Sequence, residues 1–231
     1  IVPHLQHLTI KGGEPFADPN NIKILKKLAE TNPNCRVEIC TNMQLVTNTV
    51  IEILHQINEV HIQASIDGVH EMYDWVRGGN FKRTVNNIKR YHEHSGRKVV
   101  IVSTVSVYNW MHLPELIDYW KDIEGVDRIS MANLVTFPKY CSSCYLDEHH
   151  IEEGRDKLFN YLKDWNKISD TYYETDNLHL SGMNNVLSVE QGDDDIKLIQ
   201  ERMIKWIDFC LVARENNEDI YELAPYLKEY R

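Results

Sequence analysis

The chain has 231 residues, 42% of them hydrophobic and 26% charged, with a formal net charge of -10. That length allows a sizeable buried core, and the acidic balance argues against broad electrostatic binding to nucleic acid or anionic membranes. No apolar run approaches the roughly 20 residues that span a bilayer and no basic-apolar leader opens the sequence, so a cytoplasmic protein is expected. In chain order, "HLTIK" at 7–11 reads as a buried strand that runs into Gly12, Gly13, Glu14 and Pro15. "DPNNIKILKKLAE" then reads as a helix, with Asp18 as N-cap, Pro19 at the first helical position, and Ile24, Leu25 and Leu28 on one face. Strand "RVEICT" at 36–41, helix "TNTVIEILHQI", strand "VHIQASI" at 60–66, helix "NFKRTVNNIKRYHEH" and strand "VVIVSTVSV" at 99–107 follow. Helix "HLPELIDYWKDIEG" and strand "VDRISMANLV" at 126–135 complete the alternation.

Continuous apolar strands alternating with helices predict a parallel sheet with right-handed crossovers, as an open sheet or a partial barrel. From about residue 147 the pattern changes to two amphipathic helices, "DEHHIEEGRDKLFNYLKDWNKI" and "DDDIKLIQERMIKWIDFCLVAREN", with no further strand expected. A boundary near residue 140 follows: a core over 1–140 and a mainly helical extension over 141–231. The chain opens without Met and close to a strand, which is read as a fragment beginning inside a domain.

In both parallel architectures, ligands bind at the C-terminal ends of the strands. Those ends carry Gly12, Gly13, Glu14 and Pro15; Thr41 and Asn42; Ser65, Asp67 and Gly68, with Arg77 downstream; Ser106 and Asn109; and Met131 with Asn133. Each has an ordinary structural alternative. The glycines make a turn, Asp67 caps the next segment, Asn42 and Asn109 satisfy loop backbone, and Arg77 is solvated or pairs with Asp74.

Taken together, "GGEP", "CTN", "SIDG" with "RGGNF", and "VSVYN" on successive strands resemble the radical S-adenosylmethionine (SAM) superfamily, in particular members with a twitch extension related to SPASM proteins. The resemblance implies a partial (βα)6-type parallel barrel lacking its first strand. It implies that Gly12, Gly13 and Glu14, followed by Pro15, contact the amino group of SAM. Ser65 and Arg77 would contact its carboxylate, with Asp67 in the same "SIDG" motif. Asn42 and Asn109 would lie near the ribose, and backbone around Met131 near the adenine. An ammonium calls for an acid and a carboxylate for an Arg or hydroxyl donor, which fits these residue types. The implied chemistry is hydrogen abstraction by a 5′-deoxyadenosyl radical from a small-molecule or peptide substrate. A flavodoxin or ferredoxin would be the electron donor.

The family's CxxxCxxC, which holds a 4Fe–4S cluster, does not occur in this sequence. It is expected upstream, so the chain as given is expected to be inactive and no metal-ligating residue is assigned within it. The five cysteines, Cys35, Cys40, Cys141, Cys144 and Cys210, are read as reduced thiols, with Cys40 a small core residue. Cys141 and Cys144 form CxxC, which with Cys210 and His149 or His150 would suit an auxiliary cluster or zinc; incidental cysteines are favoured. The pair His149-His150 is read as a solvated helix cap. The competing functional class is a non-catalytic SAM- or nucleotide-binding α/β module without a cluster.

Overall fold

The computed structural model describes residues 2–169, 172–175, 178–213 and 219–231. In chain order its elements are β1 (His7–Ile10), α1 (Pro19–Thr31), β2 (Arg36–Thr41), α2 (Asn48–His55), β3 (Glu59–Ser65), α3 (His70–Arg77), α4 (Phe81–Ser95) and β4 (Val99–Val105). Then come α5 (Leu113–Lys121), β5 (Val126–Leu134), α6 (Glu148–Tyr161), β6 (Asn166–Ser169), β7 (Tyr172–Glu174), β8 (His179–Ser181), α7 (Met183–Leu187), α8 (Ile196–Ala213) and α9 (Ile220–Leu223). The expected α/β fold with a mostly parallel sheet is present, and the chain divides into two compact units.

The first unit comprises residues 1–65, 82–102 and 123–128. Its strands run parallel in the order β1, β2, β3, β4, with Ile10 opposite Ile39, Thr41 opposite Ala64, and Ser65 opposite Val102. Along β2 the buried positions alternate, with Val37, Ile39 and Thr41 inward, as a pleated strand with one covered face requires. Helix α1 starts as its sequence dictates: Asp18 accepts from Asn20 N at 2.8 Å, and Pro19, which lacks an N–H, occupies the first turn. Leu25 and Leu28 are buried from this helix and Ile51 and Leu54 from α2, each contributing about 1.5–3 kcal/mol by burial. The Arg97 guanidinium donates to the carbonyls of Leu54 (2.8 Å) and Ile57 (2.5 Å), supplying donors where α2 ends.

The second unit comprises residues 66–81, 103–122 and 129–231. Here the strand order is β4, β5, β8, β7, β6, with β6–β7 and β7–β8 antiparallel. These three short strands correct the expectation that no strand follows β5 in the mainly helical extension. Each has only three or four residues, too few to show an alternation. What holds β7 to β8 is a pair of facing residues, Tyr173 and Leu180, both buried. Helix α3 was also absent from the sequence reading; Gly78, with φ 61°, ends it in a left-handed cap. The expected second helix of the extension is α8, and its anticipated last residues lie outside the described residues.

Candidate functional site

At the tip of β1 the backbone turns through Gly12 (φ 92°) and Gly13 (φ 56°), a region that strains any residue bearing a Cβ. A Cβ built on either glycine would meet nothing within 4 Å, so the turn has an open flank. Glu14 then caps the 3-10 turn Pro15–Ala17, whose first residue, Pro15, is buried. The Glu14 carboxylate joins two strand tips. Its Oε1 accepts from Thr41 Oγ1 at 2.7 Å and from Phe16 N at 3.3 Å, and its Oε2 accepts from Asn42 N at 2.9 Å. Three of its roughly four acceptor positions are thus filled by neutral donors. Among the described residues no cation lies within ion-pair distance of it. Asn42 itself is shaped by a local turn, its Oδ1 accepting from Gln44 N at 2.8 Å. Ser65 ends β3 and is half-buried.

Within the second unit a separate cluster forms. Asp67 is 6% exposed; its Oδ1 accepts from Thr104 N at 2.7 Å, and its Oδ2 lies 3.2 Å from Arg77 Nε. Burial pushes the Asp67 carboxyl up, opposed by the Arg77 charge and the Thr104 N–H. Asn109, 1% exposed, uses its whole amide within the protein: Nδ2 donates to Asp67 O (2.7 Å) and Thr104 O (3.0 Å), and Oδ1 accepts from Ser106 N (2.8 Å) and Ser106 Oγ (3.3 Å). Met131 is fully buried in β5. The adjoining backbone is covered by this unit's own chain: Ala132 O accepts from Asn185 Nδ2 at 3.0 Å, and Gly182 lies against Ala132 N.

Thus Gly12, Gly13, Glu14, Pro15 and Asn42 gather in one unit, and Asp67, Arg77 and Asn109 in the other. Thr41, Thr104 and Ser106 complete the two clusters without having been singled out as ligand-binding residues. Thr41 and Ser106 did appear among the strand-end residues; Thr104 carried no signal, because its contribution is a backbone N–H. A cavity of about 530 Å³ in the second unit, lined by Phe137, Tyr140, Asp194, Leu198 and Arg202 among others, includes none of the expected site residues.

All five cysteines are free. Contrary to expectation, Cys40 is half-buried and donates to Gln63 Oε1 at 2.9 Å, whereas Cys35 is the buried one. The Cys141 thiol sits 3.4 Å from Tyr108 OH, and burial pushes it up, disfavouring the thiolate a metal needs. Among the described residues, the group of three that brings ligand atoms within 4.8 Å of one another is Asp147, His149 and His150. The chain's cysteines therefore do not fit a 4Fe–4S cluster. His150 is also a correction: it is 2% exposed rather than solvated.

A family model described as the radical SAM superfamily matches residues 2–130. The chain belongs to the radical SAM superfamily. No curated protein matches it. Among solved structures it is similar to Streptococcus suis SuiB bound to S-adenosylmethionine (21% identity, TM-score 0.52, covering 68% of this chain and 35% of that one). SuiB bound to its precursor peptide SuiA gives 22% identity and a TM-score of 0.50 over 68% of this chain and 35% of that one. Native anSMEcpe with bound AdoMet gives 17% and 0.51, over 67% of this chain and 45% of that one. At these identities the likeness is one of fold. This radical SAM chain spans between about a third and a half of the length of those proteins.

Proposed function

We propose that this chain is the SAM-binding part of a radical SAM enzyme. The observation that carries the reading is Glu14: a carboxylate fixed by three neutral donors, with no cation beside it among the described residues, next to a two-glycine turn with an open flank. An ammonium supplies what this carboxylate lacks. In this reading Gly12, Gly13 and Glu14 hold the SAM amino group, and Pro15 fixes the turn. Ser65 and Arg77 serve the carboxylate, Asp67 orients the guanidinium through Nε, and Asn42 serves the ribose. Asn109 acts through the loop it shapes, and backbone near Met131 serves the adenine.

When bound to a reduced 4Fe–4S cluster, SAM supplies a 5′-deoxyadenosyl radical for hydrogen abstraction. The cysteines present do not fit that cluster, whose ligands would come from outside residues 1–231. The substrate class is a peptide or small molecule, with a flavodoxin or ferredoxin as electron donor. The core over 1–140 and a twitch-like extension over 141–231 belong to the same proposal. Equilibrium dialysis of the chain with SAM tests it: weak saturable binding is expected, reduced at least tenfold in Glu14→Gln, and no 5′-deoxyadenosine forms under dithionite. Equal binding by Glu14→Gln overturns the assignment. A non-catalytic SAM-binding module is the second reading, favoured by the missing CxxxCxxC. An iron-loaded parent protein that produces 5′-deoxyadenosine would remove it.

A further inference from the structure

Two adjacent histidines and a distant glutamate meet at the start of α6. His149 Nε2 lies 3.6 Å from Glu229 Oε2, and His150 Nε2 lies 3.6 Å from Glu229 Oε1. The two imidazole rings are 3.9 Å apart between centroids, inclined by 39°. The Asp147 carboxylate completes a group of three with the histidines, one of its oxygens and one ring nitrogen of each histidine all lying within 4.8 Å of one another. Although Asp147 occupies the N-cap position of α6, its side chain makes no capping bond; its Oδ1 accepts from Gln200 Nε2 at 2.9 Å instead.

The separations are informative. A nitrogen donating to a carboxylate sits at about 2.7–2.9 Å, and 3.6 Å is no hydrogen bond. Ligands about 2.1 Å from a tetrahedral zinc ion are about 3.4 Å from one another. Both ε-nitrogens stand near the second distance from the two oxygens of one carboxylate.

The surroundings suit a metal. His150 Nδ1 is 2.7 Å from Tyr230 OH, and the same oxygen accepts from Asp147 N at 2.7 Å. A hydroxyl partner at Nδ1 fixes the ring and leaves Nε2 to face the carboxylate, the outer-sphere arrangement that metal-ligating histidines use. His150 is buried at 3% side-chain exposure, while His149 and Glu229 are 60% and 61% exposed, so an ion has a way in and room for water. Two imidazoles with carboxylate oxygens select a zinc-class ion over calcium or magnesium.

We infer that Asp147, His149 and His150, with the Glu229 carboxylate set against both ε-nitrogens, form a binding site for a zinc-class divalent cation that clips the turn Pro225–Tyr230 to the start of α6. The site is independent of the SAM reading and of the cysteines. Its test is a calorimetric titration of the chelator-treated chain with zinc chloride, repeated with cobalt(II) under visible spectroscopy. His149→Ala and Glu229→Gln alter exposed side chains and leave the fold intact. One equivalent of zinc is expected in the parent chain and in Cys141→Ala/Cys144→Ala, with affinity at least tenfold weaker in His149→Ala and in Glu229→Gln. Cobalt is expected to give d–d bands without a thiolate charge-transfer band. No uptake, undiminished affinity in either variant, or a thiolate band would overturn the assignment.

Discussion

Asn109→Ala should damage the second unit far more than the loss of one polar side chain at a loop would. The wild-type amide satisfies Ser106 N, Asp67 O and Thr104 O, at 2.8, 2.7 and 3.0 Å. Ser106 and Asp67 are 5% and 6% exposed, so these groups have little solvent to turn to. Each buried group left without a partner costs about 1–3 kcal/mol, and allowing for a water entering the vacated space, the total is roughly 3–6 kcal/mol. Urea unfolding followed by tryptophan fluorescence is a direct assay, since the next residue, Trp110, is fully buried in the same unit. At about 2 kcal/mol per molar urea, the midpoint should fall by roughly 1.5–3 M. A midpoint unchanged within about 0.3 M, with SAM binding nonetheless abolished, would refute the reasoning: the amide would then serve a ligand and not the loop.

Three further outcomes are expected. Glu14→Gln places an amide N–H₂ against a donor at Asn42 N or Thr41 Oγ1, so beyond weakened SAM binding it should lower stability by about 1–3 kcal/mol, read from urea midpoints; an unchanged midpoint would show that Glu14 is no strut. Asp67 has a native carboxyl raised above its unfolded counterpart, so as pH rises past about 4 the unfolded chain sheds its proton first. Stability is therefore full below that pH and declines until the native group titrates; Asp67→Asn should remove this decline, and parallel wild-type and variant profiles between pH 4 and 7 would contradict it. Gly182→Ala would set a Cβ 2.4 Å from Ala132 N at a φ of 81°; backbone cannot yield as a side chain does, so a loss above about 3 kcal/mol is expected, and a thermal midpoint matching wild type would show that the turn relaxes.

The first five strands and the helices between them, α3 excepted, were legible because their apolar patterns and caps are local chemistry. Strand β2 was predicted at Arg36–Thr41 and α1 by the Asp18-Pro19 start, since caps and alternation are local chemistry. Strands β6 to β8 were not, because a three-residue strand is specified by its partner and not by its own period. The same limit applies to the site. "GGEP" announced a turn and an acid, but the use of Glu14 to tie β1 to β2 depends on Thr41 and Asn42, 27 and 28 positions away. Arg77 offered Asp74 as a helical neighbour, and its ion pair with Asp67, ten positions back, is set by the path of the chain and not by helical spacing. His150 looked solvated because its burial depends on Tyr230, 80 residues downstream.

The anchoring of the Glu14 carboxylate bears on discrimination. Held by Thr41 on one oxygen and Asn42 on the other, it cannot swing aside to accommodate a poor match. An amino acid derivative whose nitrogen is acylated brings no charge and fewer donors, and would leave that anion desolvated and uncompensated, a penalty that grows with how firmly the anion is held. With Glu14 as the proposed amine partner, rigidity at this one side chain would make the turn beside it a filter for free amines before any chemistry begins.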